Sequence, residues 1–252
     1  MSRPTLSVVI PAYNEALRLP ATLARVREHL AGRGLAHEIL VVDDGSTDAT
    51  ADLARAAGDV VRLLRHEPNR GKGYAVRRGM LAATGARRLM TDADLSTPIE
   101  ELARLEAEID RGFDVAIGSR AVAVARIEVR QPAYREAMGR LFNRLVQALL
   151  LPGLSDTQCG FKLFTAAAAE AVFGPCRLHG FSFDVEALYL ARRRGLRIAE
   201  VPIVWRNDAA TRVGLGGGSA AFLDLLRIRL LALRGAYGPP APARARSGGA
   251  GT

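Results

Sequence analysis

Residues 87–102, RRLMTDADLSTPIEEL, run a short apolar segment directly into two aspartates, Asp92 and Asp94, separated only by Ala93. A strand-length apolar run ending in paired carboxylates puts charge at the carboxyl end of a buried strand, where open α/β sheets bind their ligands. On extended chain, side chains two residues apart share a side, so both carboxylates face one way. They repel each other unless a cation joins them, and two carboxylates leave a hard divalent ion open to phosphate oxygens. Taken alone, Asp-x-Asp also fits an ordinary helix-entry loop.

The same grammar repeats through the first 120 residues. LSVVI (6–10), EILVV (38–42), VVRLL (60–64), RRLMT (87–91) and DVAIG (114–118) are apolar runs suited to a sheet buried on both faces. Amphipathic stretches lie between them: Leu19, Leu23, Val26 and Leu30 recur at helical spacing, as do Ile99, Leu102, Leu105 and Ile109. Thr97 as a cap, Pro98 at the first helical position and Glu100 in a capping box predict where the second of these begins. Repeated strand–helix–strand units predict an α/β fold, an open and mainly parallel sheet flanked by helices. A polar cluster follows each of the first four strands: PAYNE (11–15), DDGSTD (43–48), NRGKG (69–73) and DADLS (92–96).

Past residue 120 the pattern changes. Met138, Leu141, Phe142, Leu145, Val146, Leu149 and Leu150 form a helical stripe that suits either a core or a membrane surface. SDTQCGFKLF (155–164) follows; GFSFDVEALYLARRRG (180–195) reads as a loop entering a helix, RIAEVPIVW (197–205) as a strand and GLGGGS (214–219) as a mobile loop. FLDLLRIRLLALRGAYG (222–238) is basic and apolar like an interfacial helix, with a core helix or an oligomer contact as the plainer reading. The tail from 238 to 252 is low in complexity and is expected to be disordered.

Composition narrows the classes. The net charge of +9 raises the question of nucleic acid, but the ligand end of the expected sheet is acidic and no basic–aromatic platform is evident. Only Lys72 and Lys162 are lysines, so the arginine excess reflects composition bias and solvated helix faces as readily as an anionic partner. The two cysteines match no metal spacing or disulfide framework, which suits a reducing compartment. No signal-peptide pattern opens the chain, and no apolar run approaches the roughly 20 residues that span a bilayer. Dinucleotide and P-loop fingerprints are missing, as is a Ser-His-Asp layout.

The ordered set VVIPAYNE, EILVVDDGSTDAT, NRGKGYAVRRGM, LMTDADLSTP, VAIGSR and DTQCGFKLF resembles the family 2 inverting glycosyltransferases. Within them it is most similar to the branch that moves glucose or mannose from a nucleotide sugar to dolichyl or polyprenyl phosphate. The resemblance covers roughly residues 5–235 and implies a GT-A-type fold: one catalytic domain over 1–237, with a nucleotide-sugar half (1–120) and an acceptor half (121–237). It implies that Pro11, Tyr13 and Glu15 line the nucleoside site and that Asp44 bonds the base. Lys72 would lie near the nucleotide, and Asp92 and Asp94 would position Mg²⁺ or Mn²⁺ on the donor diphosphate, Asp94 acting in catalysis through the metal. Arg120, Arg135 and Arg212 become candidates for the acceptor phosphate, since arginine binds phosphate oxygens bidentately. Asp156 and Gln158 would face the acceptor, with Asp156 as general base for a hydroxyl acceptor and as a positioning residue for a phosphate.

The expected activity is therefore inverting transfer of a hexose, glucose from UDP-glucose first, to a polyprenyl phosphate. A related transferase using GDP-mannose or a UDP-N-acetylhexosamine and a hydroxyl acceptor is the rival, and a non-catalytic nucleotide-sugar sensor stands behind it. Expected partners are the donor, the lipid phosphate and a membrane surface, met peripherally through 141–151 and 222–233 on the cytoplasmic face. Two departures from the family pattern stand out. The chain opens at the catalytic strand where eukaryotic glucosyl relatives carry an anchor, and RNDAATRVGLGGGS (206–219) replaces a Ser-Lys segment.

Overall fold

The computed structural model describes residues 4–122, 126–129, 133–206 and 216–240, with the side chains of 126–129, 133–136 and 216–220 outside the description. Nine strands are described: β1 Leu6–Ala12, β2 His37–Asp44, β3 Val61–His66, β4 Arg87–Thr91, β5 Val115–Ser119, β6 Arg126–Val129, β7 Phe161–Thr165, β8 Ile198–Pro202 and β9 Val204–Arg206. The helices are α1 Leu19–Gly32, α2 Thr50–Ala56, α3 Lys72–Ala82, α4 Leu102–Asp110, α5 Ala133–Leu149, α6 Ala166–Phe173, α7 Phe183–Arg193 and α8 Gly216–Leu233.

Seven strands form one sheet in the order β3-β2-β1-β4-β7-β5-β8, and β6 pairs with β9 in a parallel ribbon apart from it. Every pairing in the main sheet is parallel except those of β7, which runs antiparallel to β4 on one side and β5 on the other. Side-chain alternation along the strands sorts the interior into two cores. Leu6, Val8 and Ile10 of β1 pack with Leu19, Leu23 and Val26 of α1 and with Leu102 and Leu105 of α4. On the other face Val9, Leu40 and Met90 pack with Val76 and Met80 of α3, Phe142 and Val146 of α5, and Leu188 of α7. A sheet covered on both faces explains why its strands read as continuous apolar runs.

The reversed β7 brings the function together. Phe161, its first residue, pairs with Thr91, the last residue of β4. The loop 155–160 therefore arrives at the edge where β1, β2 and β4 end.

Several local expectations are corrected. Thr97 does not cap the fourth helix; Ile99–Glu101 form a 3₁₀ turn with Pro98 at the cap position, and the Thr97 hydroxyl lies 3.7 Å from the Cys159 sulfur. Tertiary contact with the 155–160 loop has outcompeted the local cap. RIAEVPIVW is two strands in two sheets, broken at Ile203, whose buried side chain turns into the core. Residues 216–219, expected in a mobile loop, open α8, because extending a helix costs far less than nucleating one even through glycine. The expected disordered tail lies outside the described residues from 241 onward, but its first residue is anchored: the Gly238 carbonyl accepts from Arg193 at 3.1 Å.

Candidate active site

The loops after β1 and β2 are laced together by polar side chains. Asn14, held at φ 55, donates its N–H to the Ser46 hydroxyl at 2.9 Å and accepts the Thr47 N–H on Oδ1 at 2.8 Å. The Glu15 N–H donates to the Thr50 hydroxyl at 2.8 Å, while the Glu15 carboxylate is gripped by Arg18 at 2.6 and 2.7 Å. Pro11 is buried within β1, and Tyr13 stands about half exposed at the strand's end. Among PAYNE residues it is Tyr13 that offers an aromatic face to a ligand.

Asp44 ends β2 and is almost fully buried. Its Oδ1 accepts the Arg70 N–H at 2.7 Å and lies 2.6 Å from Nε2 of His66; its Oδ2 accepts the Gly71 N–H at 2.8 Å. In this arrangement Asp44 shapes the NRGKG loop, and a base would share it with those backbone donors. That loop delivers Lys72, at the start of α3, so that its Nζ sits 2.6 Å from Oδ1 of Asp92.

Asp92 and Asp94 sit half-buried beyond β4. The turn between them is tied by the Asp92 carbonyl, which accepts from Leu95 at 3.3 Å, and by Oδ1 of Asp94, which accepts the Ser96 N–H at 2.9 Å. Burial and then repulsion from Asp92 push the Asp94 carboxyl above its ordinary value. Burial works against the Lys72 ammonium, but attraction to Asp92, Asp184 and Asp94 prevails and raises it. Gly160 completes the corner: its carbonyl accepts the Asp92 N–H at 3.2 Å, and a Cβ there would run into the Asp92 carboxylate.

A second charged group faces this one from the 155–160 loop. Oδ2 of Asp156 accepts both the backbone N–H and Nε of Arg120, at 3.0 and 2.7 Å, and Oδ1 accepts Nη2 at 2.9 Å and the Gln158 N–H at 3.1 Å. Burial would raise the Asp156 carboxyl, yet the Arg120 guanidinium outweighs it and holds the group below the usual carboxylate range. Arg120 also lies over the Trp205 ring at 5.4 Å. Asp156 leaves the Nη1 donors of Arg120 unused, which suits an anionic ligand. With four donors on two oxygens, Asp156 has its acceptor sites filled. Gln158 is half-buried beside it. The Arg135 side chain and the whole of Arg212 lie outside the described residues.

Four supporting acids and bases escaped the reading of the sequence. Lys162, 1% exposed, pairs through Nζ with Asp184 at 2.5 Å beneath the Asp92 corner. Glu200 accepts Ser119 Oγ, at 2.7 Å, and the N–H groups of Ser155 and Asp156, at 2.9 and 2.8 Å on their shorter contacts, and so fixes the Arg120–Asp156 loop. Glu186 is fully buried and holds backbone N–H groups of 177 and 178. In the sequence each is a charge set within an apolar stretch, where a solvated position and a buried, partnered one look alike; only the fold shows which charges are buried and so must have partners.

Among the described residues no three His, Cys, Asp or Glu side chains come together in a metal-ligating cluster. Two half-exposed carboxylates, one of them pushed up by the other, nevertheless fit a hard divalent ion whose shell is completed by phosphate and water.

An open, mainly parallel sheet with paired aspartates beyond β4 is the arrangement expected of the GT-A fold that the sequence motifs imply. The profile of Glycosyl transferase family 2 matches residues 7–173, and the chain belongs to that family. Similar proteins include the dolichyl-phosphate beta-glucosyltransferase of Dictyostelium discoideum, 36% identical over 92% of this chain and 76% of the relative. The Homo sapiens protein of the same name is 35% identical over 92% and 77%. Among solved structures, glucosyl-3-phosphoglycerate synthase from Mycobacterium tuberculosis, in complex with Mn²⁺, uridine diphosphate and phosphoglyceric acid, superposes with a TM-score of 0.70. It is 22% identical, and the match covers 94% of this chain and 80% of that one.

Proposed function

We propose that this chain transfers glucose, with inversion, from UDP-glucose to a polyprenyl phosphate of the dolichyl type. The observation that carries the reading is the saturated Asp156. Transfer to a hydroxyl needs a general base, and this carboxylate has no acceptor site to spare. A phosphate monoester, with a second pKa near ~6, is largely dianionic at neutral pH and needs no base. The names of the two relatives support the glucosyl donor and the lipid phosphate, and the complex with Mn²⁺ and uridine diphosphate supports a UDP-sugar.

In this mechanism Arg120, held flat by Asp156 and Trp205, orients the acceptor phosphate. Its oxygen attacks the anomeric carbon from the face opposite the leaving group, and the bond to the donor's β-phosphate breaks with the electron pair leaving on uridine diphosphate. Lys72 turns from Asp92 toward that diphosphate and stabilises its growing charge. Tyr13 stacks on the base and Asp44 accepts its N–H. Asp92 and Asp94 would hold Mg²⁺ or Mn²⁺, which when bound neutralises the departing diphosphate. The test is transfer of labelled sugar from a panel of UDP- and GDP-sugars into polyprenyl phosphate, with divalent metal and with chelator. Metal-dependent label from UDP-glucose is expected; hydrolysis of the donor without lipid labelling would refute the acceptor.

The lipid acceptor implies a membrane surface. No helix among the described residues is long and apolar enough to cross one. On α8, Leu225 and Ile228 are buried, while Leu223, Leu226, Leu230 and Leu233 form an outer stripe at 70%, 60%, 45% and 84% exposure. Exposed Arg227, Arg229 and Arg234 flank it, and α5 adds exposed Met138 and Leu141. This face matches a peripheral helix on an anionic leaflet, which we place on the cytoplasmic side. Replacing Leu226 and Leu230 by glutamate is expected to lower co-sedimentation with anionic vesicles at least tenfold, about 1.4 kcal/mol or more, while leaving the melting temperature within a few degrees. Equal sedimentation of variant and parent would remove α8 as the contact.

A further inference from the structure

Glu186, on α7, is a carboxylate with no exposure, and its hydrogen bonds among the described residues come from backbone N–H groups and a tyrosine hydroxyl rather than from a cationic side chain. Its Oε1 accepts the Tyr237 hydroxyl at 2.7 Å and the Arg177 N–H at 2.9 Å; its Oε2 accepts the Leu178 N–H at 2.8 Å. A carboxylate so placed fixes backbone, and the backbone it fixes is the segment leading to residue 180. That segment is packed against the start of α3. The His179 carbonyl accepts the Gly73 N–H at 2.7 Å. A Cβ on Gly71 would collide with the same carbonyl, and one on Gly73 would collide with the carbonyls of Leu178 and Gly180 and with Phe183. Lys72 lies between these two glycines and reaches Asp92.

The other end of the arrangement is the C-terminal helix. Tyr237 follows α8 and is 1% exposed, its carbonyl accepting from Arg194 at 3.3 Å. A contiguous set of contacts thus runs from the end of α8 through Tyr237 and Glu186 to residues 177–180, then to Gly73, Lys72 and Asp92.

We propose that Glu186 and Tyr237 are positioning residues for the Lys72 loop, so that the seating of α8 sets how firmly the nucleoside diphosphate is held. The proposal rests on the donor reading above for its meaning, and its test does not need a donor. Tyr237→Phe removes one hydroxyl and leaves the ring in place; Glu186→Gln is the stronger lesion. Hydrogen exchange in the full chain should be followed over peptides 177–182, 69–76 and, as a reference, 6–12.

In Tyr237→Phe, exchange should quicken about tenfold in both 177–182 and 69–76, the scale of one lost hydrogen bond to a charged group, with 6–12 unchanged. UDP affinity in the presence of Mn²⁺ should weaken several-fold while the melting temperature shifts by only a few degrees. Glu186→Gln should show the same pattern more strongly. Faster exchange confined to 177–182 would overturn the proposal, as would a rise in all three peptides in step with lost stability. If neither UDP nor GDP binds the parent chain, the donor reading fails, and the exchange pattern still decides the coupling.

Discussion

Asp94→Asn is expected to lower sugar transfer by about a thousandfold, the upper end of what one electrostatic group contributes to a transition state of this kind, without lowering the melting temperature. The two halves of that expectation come from one geometry. Beyond β4 the chain turns, so Asp92 and Asp94 do not share one face of an extended strand, but they lie close enough to interact: burial first, and repulsion from Asp92 second, hold the Asp94 carboxyl above its usual range. Ionising Asp94 at neutral pH therefore works against the folded state, and its removal relieves repulsion. The Ser96 N–H that Asp94 accepts can still be met by the amide oxygen of asparagine. Thermal melting with and without Mn²⁺ provides the check. The parent should gain stability from the ion by mass action and the variant should not. A variant that keeps its transfer rate would show that the pair is only a helix-entry turn.

Arg120→Ala should have the largest effect on stability. Asp156 is 1% exposed and takes three of its four hydrogen bonds from Arg120. Alanine keeps the backbone N–H but strands a buried carboxylate. Removing one partner of such a pair costs about 3 kcal/mol where the guanidinium is partly solvated, roughly 6–12 °C in a chain of this size. Acceptor kcat/KM should fall about a hundredfold, within the range of about 2–5 kcal/mol for truncating one member of a bonded charge pair.

The pH dependence has a definite sign. The depressed Asp156 carboxyl contributes stability that is present above the ordinary value near ~3.9 and is lost as pH falls through its lower folded value. In the variant, with the Arg120 guanidinium gone, burial outweighs the remaining attraction from Lys162 and raises the same group, so acid neutralises it and relieves the cost. The melting-temperature gap between parent and variant should therefore narrow from pH 7 toward pH 4. A gap that stays constant, or Arg120→Lys behaving as the parent, would refute the bidentate account.

How far the chain could be read depended on the range of the interactions. The end of β4 was legible because an apolar run stopping at Asp92 and Asp94 is a local signal. Lys72 stood out as one of two lysines in an arginine-rich chain. Strand β7 was hidden, since PheLysLeuPheThr acquires its direction only by pairing with β4 and β5, far away in sequence. The Thr97 cap failed for the same reason: a distant loop took the hydroxyl. Glu186 and Glu200 lay inside stretches already singled out. A lone acid in a periodic run looks like a solvated position until the fold buries it against backbone donors, so their roles as braces could not be assigned.

The position of β5 has a consequence for how such a protein can be rearranged. β5 belongs to the first 120 residues, yet its neighbours in the sheet are β7 and β8, both from later in the chain. Cutting at residue 120 would leave β5 attached to a fragment that holds none of its hydrogen-bonding partners. On the proposed function, the segments that would serve donor and acceptor are therefore interwoven rather than joined end to end. A chimera that exchanges acceptor preference must carry β5, β7 and β8 together as one transplanted block.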